Sequence, residues 1–313
     1  MLQPVKAFYR RTVPSAVRNK LYYLRQLVAA ADSLQRGLNF RLAAGRPLAR
    51  VPLAHANLLV DLRDGGVGRP LYLYRSYEVA ETRFLSRTLR RGMTVLDAGA
   101  NIGYFTTLAA AAVGPSGRVV AVEPDPHNFN LLTHNVRNNG LGNVTLLNRA
   151  LGREPGRADL FRSRRNFGDH RLYAAEGPER RDAVSVCVDT IDGVAERLDI
   201  DRIDVVKLDV QGYEHHVIRG MTRTIERNPD LLLLAELWPF GLRQVGESAA
   251  AVVDDLRAKG LSAYLLDETA ALRVVDRELG DLLEKWDSSP KESFYVNVVF
   301  ARGRARATFP AGH

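Results

Sequence analysis

Val95-Leu96-Asp97-Ala98-Gly99-Ala100-Asn101-Ile102-Gly103 decides the fold. A short apolar run ends in Asp-x-Gly-x-Asn-x-Gly, and helix-forming residues begin at once. Glycines at such a junction permit a tight turn and let the backbone approach a ligand. The stretch reads as a strand over 94–98 and a helix over 103–113. Downstream, strand 118–123 leads to a helix over 126–138, where Asp125 caps, Pro126 takes the first turn and Asn139-Gly140 ends it. Further strands are predicted over 144–150, 204–209, 231–237, 263–267 and 294–301, and helices over 213–227 and 248–259. Upstream, Leu58-Leu59-Val60 and Leu71-Tyr72-Leu73-Tyr74 read as short strands around Asp64-Gly65-Gly66, and 78–91 as a helix. Near-continuous apolar strands alternating with helices predict an α/β fold, with a mainly parallel sheet covered on both faces.

The interval 152–203 breaks the alternation. Two strands, 158–162 and 184–189, flank the polar run Ser163-Arg164-Arg165-Asn166-Phe167-Gly168-Asp169-His170, and an insertion of this length shapes a ligand site. The chain divides into a basic helical extension (1–56), a main domain (57–303) carrying the 152–203 insertion, and a tail (304–313).

The 313 residues carry a net charge of +8, unevenly placed. Residues 1–50 hold ten Lys and Arg against Asp32, which is +9, so the remaining residues sum to −1. A nucleic-acid groove through the body is therefore not expected. Val17, Leu21, Leu24 and Val28 share one helical face in the head. That helix packs on the main domain or, alternatively, meets a membrane surface or an acidic partner through its basic side chains. The single cysteine, Cys187, excludes an intramolecular disulfide and fits a reducing, cytoplasmic setting. No apolar run approaches membrane-spanning length, and a secretory signal is missing from the N-terminus.

Glu123 ends the second strand, 20 residues after Gly103, where an acid accepts hydrogen bonds from ribose hydroxyls. The spacing G-x-N-x-G lacks the second glycine that a pyrophosphate requires, and a P-loop is absent. A ligand with ribose and no phosphate, S-adenosylmethionine, fits better. Asp97-Ala-Gly-Ala-Asn-Ile-Gly-Tyr-Phe-Thr106, Glu123-Pro-Asp125, Asn135-Val-Arg-Asn-Asn-Gly140 and Lys207-Leu-Asp-Val-Gln-Gly-Tyr-Glu214 together resemble the FkbM-type S-adenosylmethionine-dependent methyltransferases over roughly residues 70–301. Tyr77-Glu78 and Glu236 fit that pattern too. The resemblance implies the class I methyltransferase (Rossmann-like) sheet of seven strands, the last antiparallel. It places Asp97, Gly99, Ala100, Asn101 and Gly103 along the donor, Glu123 and Pro124 at the ribose, and Ala150 near the adenine, with Tyr77 and Glu78 also on the cofactor side. One departure stands out. The family usually reads Asp-x-Glu-Gly after the lysine, and here Gln211 replaces the acid.

Methyl transfer to an alcohol needs a base near the acceptor. Asp209, at the end of its strand, is the first candidate. His170, His215 and Lys207 follow, with His216 as a further base, and Asp169, Glu214 and Glu236 are expected to contact the acceptor. No ligand pair has diagnostic metal spacing, so no metal is assigned. The acceptor is expected to be a small molecule or glycan with a free hydroxyl, residues 163–173 are expected to close over it rather than over the cofactor, and the oligomeric state stays open. Two other readings compete. A nucleotide-cofactor oxidoreductase would want the missing second glycine. A degenerate methyltransferase fold that docks through its basic head would not keep the glycine loop and Glu123.

Overall fold

The structure is a computed structural model that describes residues 47–174, 181–274, 279–288, 294–303 and 305. Most of the basic head and of the tail lie outside the described residues. The end of the expected helical extension is instead a strand, β1 (Leu48–Pro52), paired antiparallel with β2 (Asn57–Asp61). Pro47 and Pro52 disfavour a helix between them, and the hairpin buries Val51, Leu58 and Val60 completely.

The predicted strand at 71–74 is a helix, α1 (Gly68–Tyr74). Asp64 explains the difference. Its buried carboxylate accepts the N–H groups of Gly66, Val67 and Gly68, which starts the turn, and Pro70 supplies a helical φ. A four-residue apolar run carries too little period to distinguish helix from strand. α2 (Val79–Thr88), β3 (Thr94–Ala98), α3 (Tyr104–Val113), β4 (Arg118–Val122) and α4 (Pro126–Asn138) follow as expected. Asp125 caps α4 by accepting from His127 and Asn128 N–H.

β5 (Val144–Leu147) stops three residues short of the expected strand, and the chain changes sheets. β6 (Ala150–Leu151) joins β7 (Gly156–Arg162) and β8 (Asp182–Asp189) in a separate three-stranded sheet, the body of the insertion. Cys187 is exposed on β8. α5 (Ile191–Arg197) returns the chain to β9 (Val205–Leu208). The predicted helix 213–227 is broken into α6 (Glu214–Arg219) and α7 (Thr222–Arg227). Gly220 lies between them against the insertion, where an added Cβ would sit 2.1 Å from the Gly152 carbonyl oxygen. β10 (Leu232–Leu237), α8 (Pro239–Gln244), α9 (Ala249–Ala258), β11 (Ser262–Leu266), β12 (Leu272–Val274), α10 (Leu279–Asp287) and β13 (Val296–Ala301) complete the order.

The main sheet runs β12-β11-β13-β10-β9-β3-β4-β5. The β5–β4, β4–β3, β3–β9 and β9–β10 pairs are parallel, and β13 lies antiparallel between β10 and β11. This is the expected arrangement with one addition, the short edge strand β12. Strand residues alternate between two cores. Leu96, Val206 and Leu233 feed one layer, and Val95, Val205 and Leu234 feed the other. Burial on both faces accounts for the near-continuous apolar strands.

Asn135, fully buried on α4, ties the hairpin to the glycine loop. It accepts from Leu59 N–H at 2.6 Å and donates to the Leu59 and Ile102 carbonyls at 3.1 and 2.8 Å. Asn135→Ala strands three buried backbone groups. It should lower the unfolding free energy by about 2–4 kcal/mol, measured by urea denaturation.

Candidate active site

On one sheet face, three adjacent strands change character toward their carboxyl ends. β3 runs from Val95 to Asp97, the β9 strand from Val205 to Lys207 and then Asp209, and β10 from Leu232 through Leu234 to Glu236. The register sets Asp97 and Leu234 beside Lys207. The apolar ends of these rows enter the core. Lys207, Asp209 and Glu236 border a cleft of about 630 Å³ at the carboxyl edge of the sheet, where ligands bind in open α/β folds.

One end of the cleft is built around Glu123. Its Oε2 accepts the Asn101 N–H at 2.8 Å and its Oε1 the Asp125 N–H at 2.9 Å. Each oxygen keeps acceptor capacity. Burial pushes its carboxyl up to about 8. Pro124, Ala150, Gly99, Ala100 and Asn101 line the same end. Gly99 has φ +82°, and an added Cβ would stand 1.9 Å from the Asp209 carbonyl oxygen, so the loop tolerates only glycine here.

At the other end, Tyr77, Glu78, Lys207, Asp209 and Glu236 converge. Lys207 Nζ lies 3.1 Å from Asp209 and 3.9 Å from Glu78, and 4.5 Å over the Phe105 ring. Burial opposes charge on Lys207, but the Asp209, Glu78, Asp97 and Glu236 carboxyls outweigh it and hold its pKa above the ordinary value. Burial is also the main cause that pushes Glu78 up to about 8 and Glu236 well above the usual range. Gln211, left-handed at φ 54°, donates its amide to Asp209 at 2.8 Å, a bond an ionised glutamate at this position could not make. The carboxyl oxygens of Glu78, Asp209 and Glu236 lie within 4.8 Å of one another, a cluster that sequence spacing did not reveal.

Five predicted residues stand off the cleft lining. Asp97 is buried beneath it, accepting from Thr106 at 2.6 Å, while its Oδ1 has no partner among the described residues. Gly103 packs against Leu132 at the start of α3. Glu214 accepts the Gly212 N–H, and burial pushes it up to about 8. His215 faces away, with Nδ1 2.6 Å from Glu247. His216 stacks on Tyr213 at 4.2 Å.

His170 does line the cleft, but its Nδ1 accepts the Ser163 N–H at 3.1 Å, which leaves the proton on Nε2, 3.9 Å from Asp125. Burial lowers its pKa. This neutral ring holds the loop and has no free nitrogen with which to act as a base. Asp169 is bound by both Arg171 and Arg181, so its carboxylate is already satisfied. The loop was expected over the acceptor, yet its middle rests on the glycine loop. The Phe167 carbonyl accepts from Asn101 at 3.0 Å and Asn128 at 2.8 Å, and its N–H donates to Asp64 at 2.9 Å. Sequence reading missed Asn128, Asp64 and Phe167. The single phenylalanine of the polar run 163–170 was the available signal.

The glycine-loop sheet with its carboxyl-edge cleft defines a class I methyltransferase fold. A model of the methyltransferase FkbM domain matches residues 97–260, more than half of the chain, and the chain belongs to that family. Its methyl donor is S-adenosylmethionine. No curated protein matches the chain. Among solved structures it is similar to methyltransferase FkbM from Methylobacillus flagellatus, at 17% identity and TM-score 0.38, covering 74% of this chain and 50% of that one. A Streptococcus mutans protein described as a methyltransferase and solved in complex with SAH gives 10% identity and TM-score 0.42, over 71% and 96% of the chains. An S-adenosylmethionine-dependent methyltransferase of Aquifex aeolicus gives 15% and 0.38, over 72% and 90%.

The cleft fits that donor. Glu123 offers two oriented acceptor oxygens for a ribose diol, Gly99 leaves the backbone bare, and Asp97 keeps an unpartnered buried oxygen. Glu123→Gln should weaken S-adenosylmethionine binding by about 1.5–3 kcal/mol, roughly 10- to 150-fold, read by calorimetry. Stability should also depend on pH. Glu78, Glu123 and Glu214 keep their protons to about pH 8 when folded, whereas in the unfolded chain they lose them near the ordinary value of 4.5. Between those values the unfolded state binds fewer protons, so stability falls as pH rises. Melting temperature should drop from pH 5 to 8, and less steeply in Glu214→Gln.

Proposed function

We propose that the protein is an O-methyltransferase acting on a hydroxyl of a small-molecule or sugar-containing acceptor. The observation that carries this reading is Asp209, a carboxylate bordering the cleft and fixed on two sides by Lys207 and Gln211. The bound donor supplies an electrophilic methyl group on a sulfonium. An alcohol attacks it poorly while protonated, and a positioned carboxylate that takes the proton accelerates such steps roughly 100- to 10,000-fold. Lys207 holds Asp209 in place, and Gln211 sets its second oxygen. Trp238, with Arg171 4.5 Å over its ring, and Tyr295 supply aromatic walls beside the carboxyl groups. Apolar walls with few fixed polar groups orient a small ligand and exclude water.

Asp209 stays ahead of the histidines as the proposed base on geometric grounds. His215 points away from the cleft and His170 has no acceptor nitrogen to spare. A cell extract incubated with the protein and methyl-deuterated S-adenosylmethionine, followed by mass spectrometry, identifies the acceptor and the atom labelled. Label on nitrogen or carbon alone would overturn the reading. Once the acceptor is known, Asp209→Asn should lower single-turnover methyl transfer at least about 100-fold with S-adenosylmethionine saturating.

A further inference from the structure

The three carboxyls of Glu78, Asp209 and Glu236 share one small region of the cleft, with oxygens within 4.8 Å of one another. Among the described residues, the other ionisable groups facing them are Tyr77 and Glu81 beside and on α2, Asp97 on β3, Lys207 on β9, Glu214 on α6 and Tyr295 ahead of β13. Lys207 is the single cation in that set. One positive charge does not balance three carboxylates, and like charges this close do not all ionise together. The free cluster therefore retains a proton. The raised Glu78 and Glu236 agree with this charge count.

The same cavity contains Glu123 at its donor end and this cluster at its far end. We propose that the cluster is the counter-charge to the donor's sulfonium, so that the protein gives up a proton held by the Glu78 and Glu236 carboxyls when S-adenosylmethionine binds and keeps it when S-adenosylhomocysteine binds. The balance is simple. One positive charge enters with the sulfonium, one proton leaves to the buffer, and the net charge of the cleft is unchanged. The spent donor carries a neutral thioether, so no proton has to leave. Both ligands share the adenosine, the ammonium and the carboxylate, and their difference isolates the sulfonium. The consequence is a device that discriminates donor from product. By linkage, the preference for S-adenosylmethionine should grow by up to about tenfold per pH unit while the free cluster holds that proton, which for Glu78 extends to about pH 8. Once the free cluster has lost it, the preference levels off.

The inference rests on the donor assignment and needs no acceptor. Calorimetry with S-adenosylmethionine and with S-adenosylhomocysteine, at pH 7 in phosphate and in Tris, counts the protons exchanged on binding. The expected result is about one more proton released with S-adenosylmethionine, a difference at least halved in Glu236→Gln or Glu78→Gln. Equal proton exchange for the two ligands would overturn the proposal while leaving the donor assignment intact. A full difference surviving in both variants would overturn it by placing the proton elsewhere. If neither ligand binds the wild-type protein, the donor assignment falls and the proposal with it. Circular dichroism checks that the variants fold. Should both fail to fold, the wild-type affinity ratio decides: a ratio flat from pH 6 to 8 overturns the proposal and a rising one supports it.

Discussion

A single ammonium group, that of Lys207, permits four acid side chains to be gathered at one sheet edge. Burying carboxylates in a low-dielectric interior costs several kcal/mol each unless a counter-charge is close. Lys207 meets that requirement from β9, between β3 and β10, with Asp97 beside it on β3, Asp209 two residues on, and Glu78 and Glu236 around the cleft. The Phe105 ring below it keeps water away on one side and favours the cation on its face. Without this ammonium the strands would end in uncompensated charge. With it, they end in a polar patch that is dry enough for chemistry.

The two ends of the cleft solve different problems with similar residues. Glu123 is held by backbone N–H groups, which fix its direction and leave it to meet hydroxyls. Asp209 is held by side chains, an ammonium and an amide. Backbone donors belong to the loop geometry and persist under substitution of nearby side chains, whereas side-chain donors change with the sequence. The Gln211 amide shows the difference. Where the pattern this chain resembles has an acid, this one carries a donor, and the bond to Asp209 follows directly from that residue.

Much of this was legible because local signals agreed with one another. The cap at Asp125, the proline at 126 and the Asn139-Gly140 stop fixed both ends of α4. Alternation along β9 put Lys207 and Asp209 on one face before any partner was known. Other features depended on partners far away in the chain. Asp64 turns 68–74 into a helix and also holds Phe167, 103 residues later. The break at Gly220 answers to Gly152 in the insertion. Adjacent His215 and His216 point to different surroundings, and only packing against Glu247 decides which way each faces. The carboxyl cluster combines residues from the start of α2, the end of β9 and the end of β10, and no spacing rule connects them.

The attachment of Phe167 has a modular consequence. Its backbone is grasped by Asn101 of the glycine loop, Asn128 of α4 and Asp64 of the turn between β2 and α1, so the insertion stands on a fixed foot. All three grips engage main-chain atoms, which every residue except proline can offer in full. Lineages descending from such a chain can rewrite the side chains of the insertion while the foot stays planted on the glycine loop. Surface chemistry and attachment can then drift apart over evolutionary time, with the same scaffold carrying new side chains without relearning how to hold them.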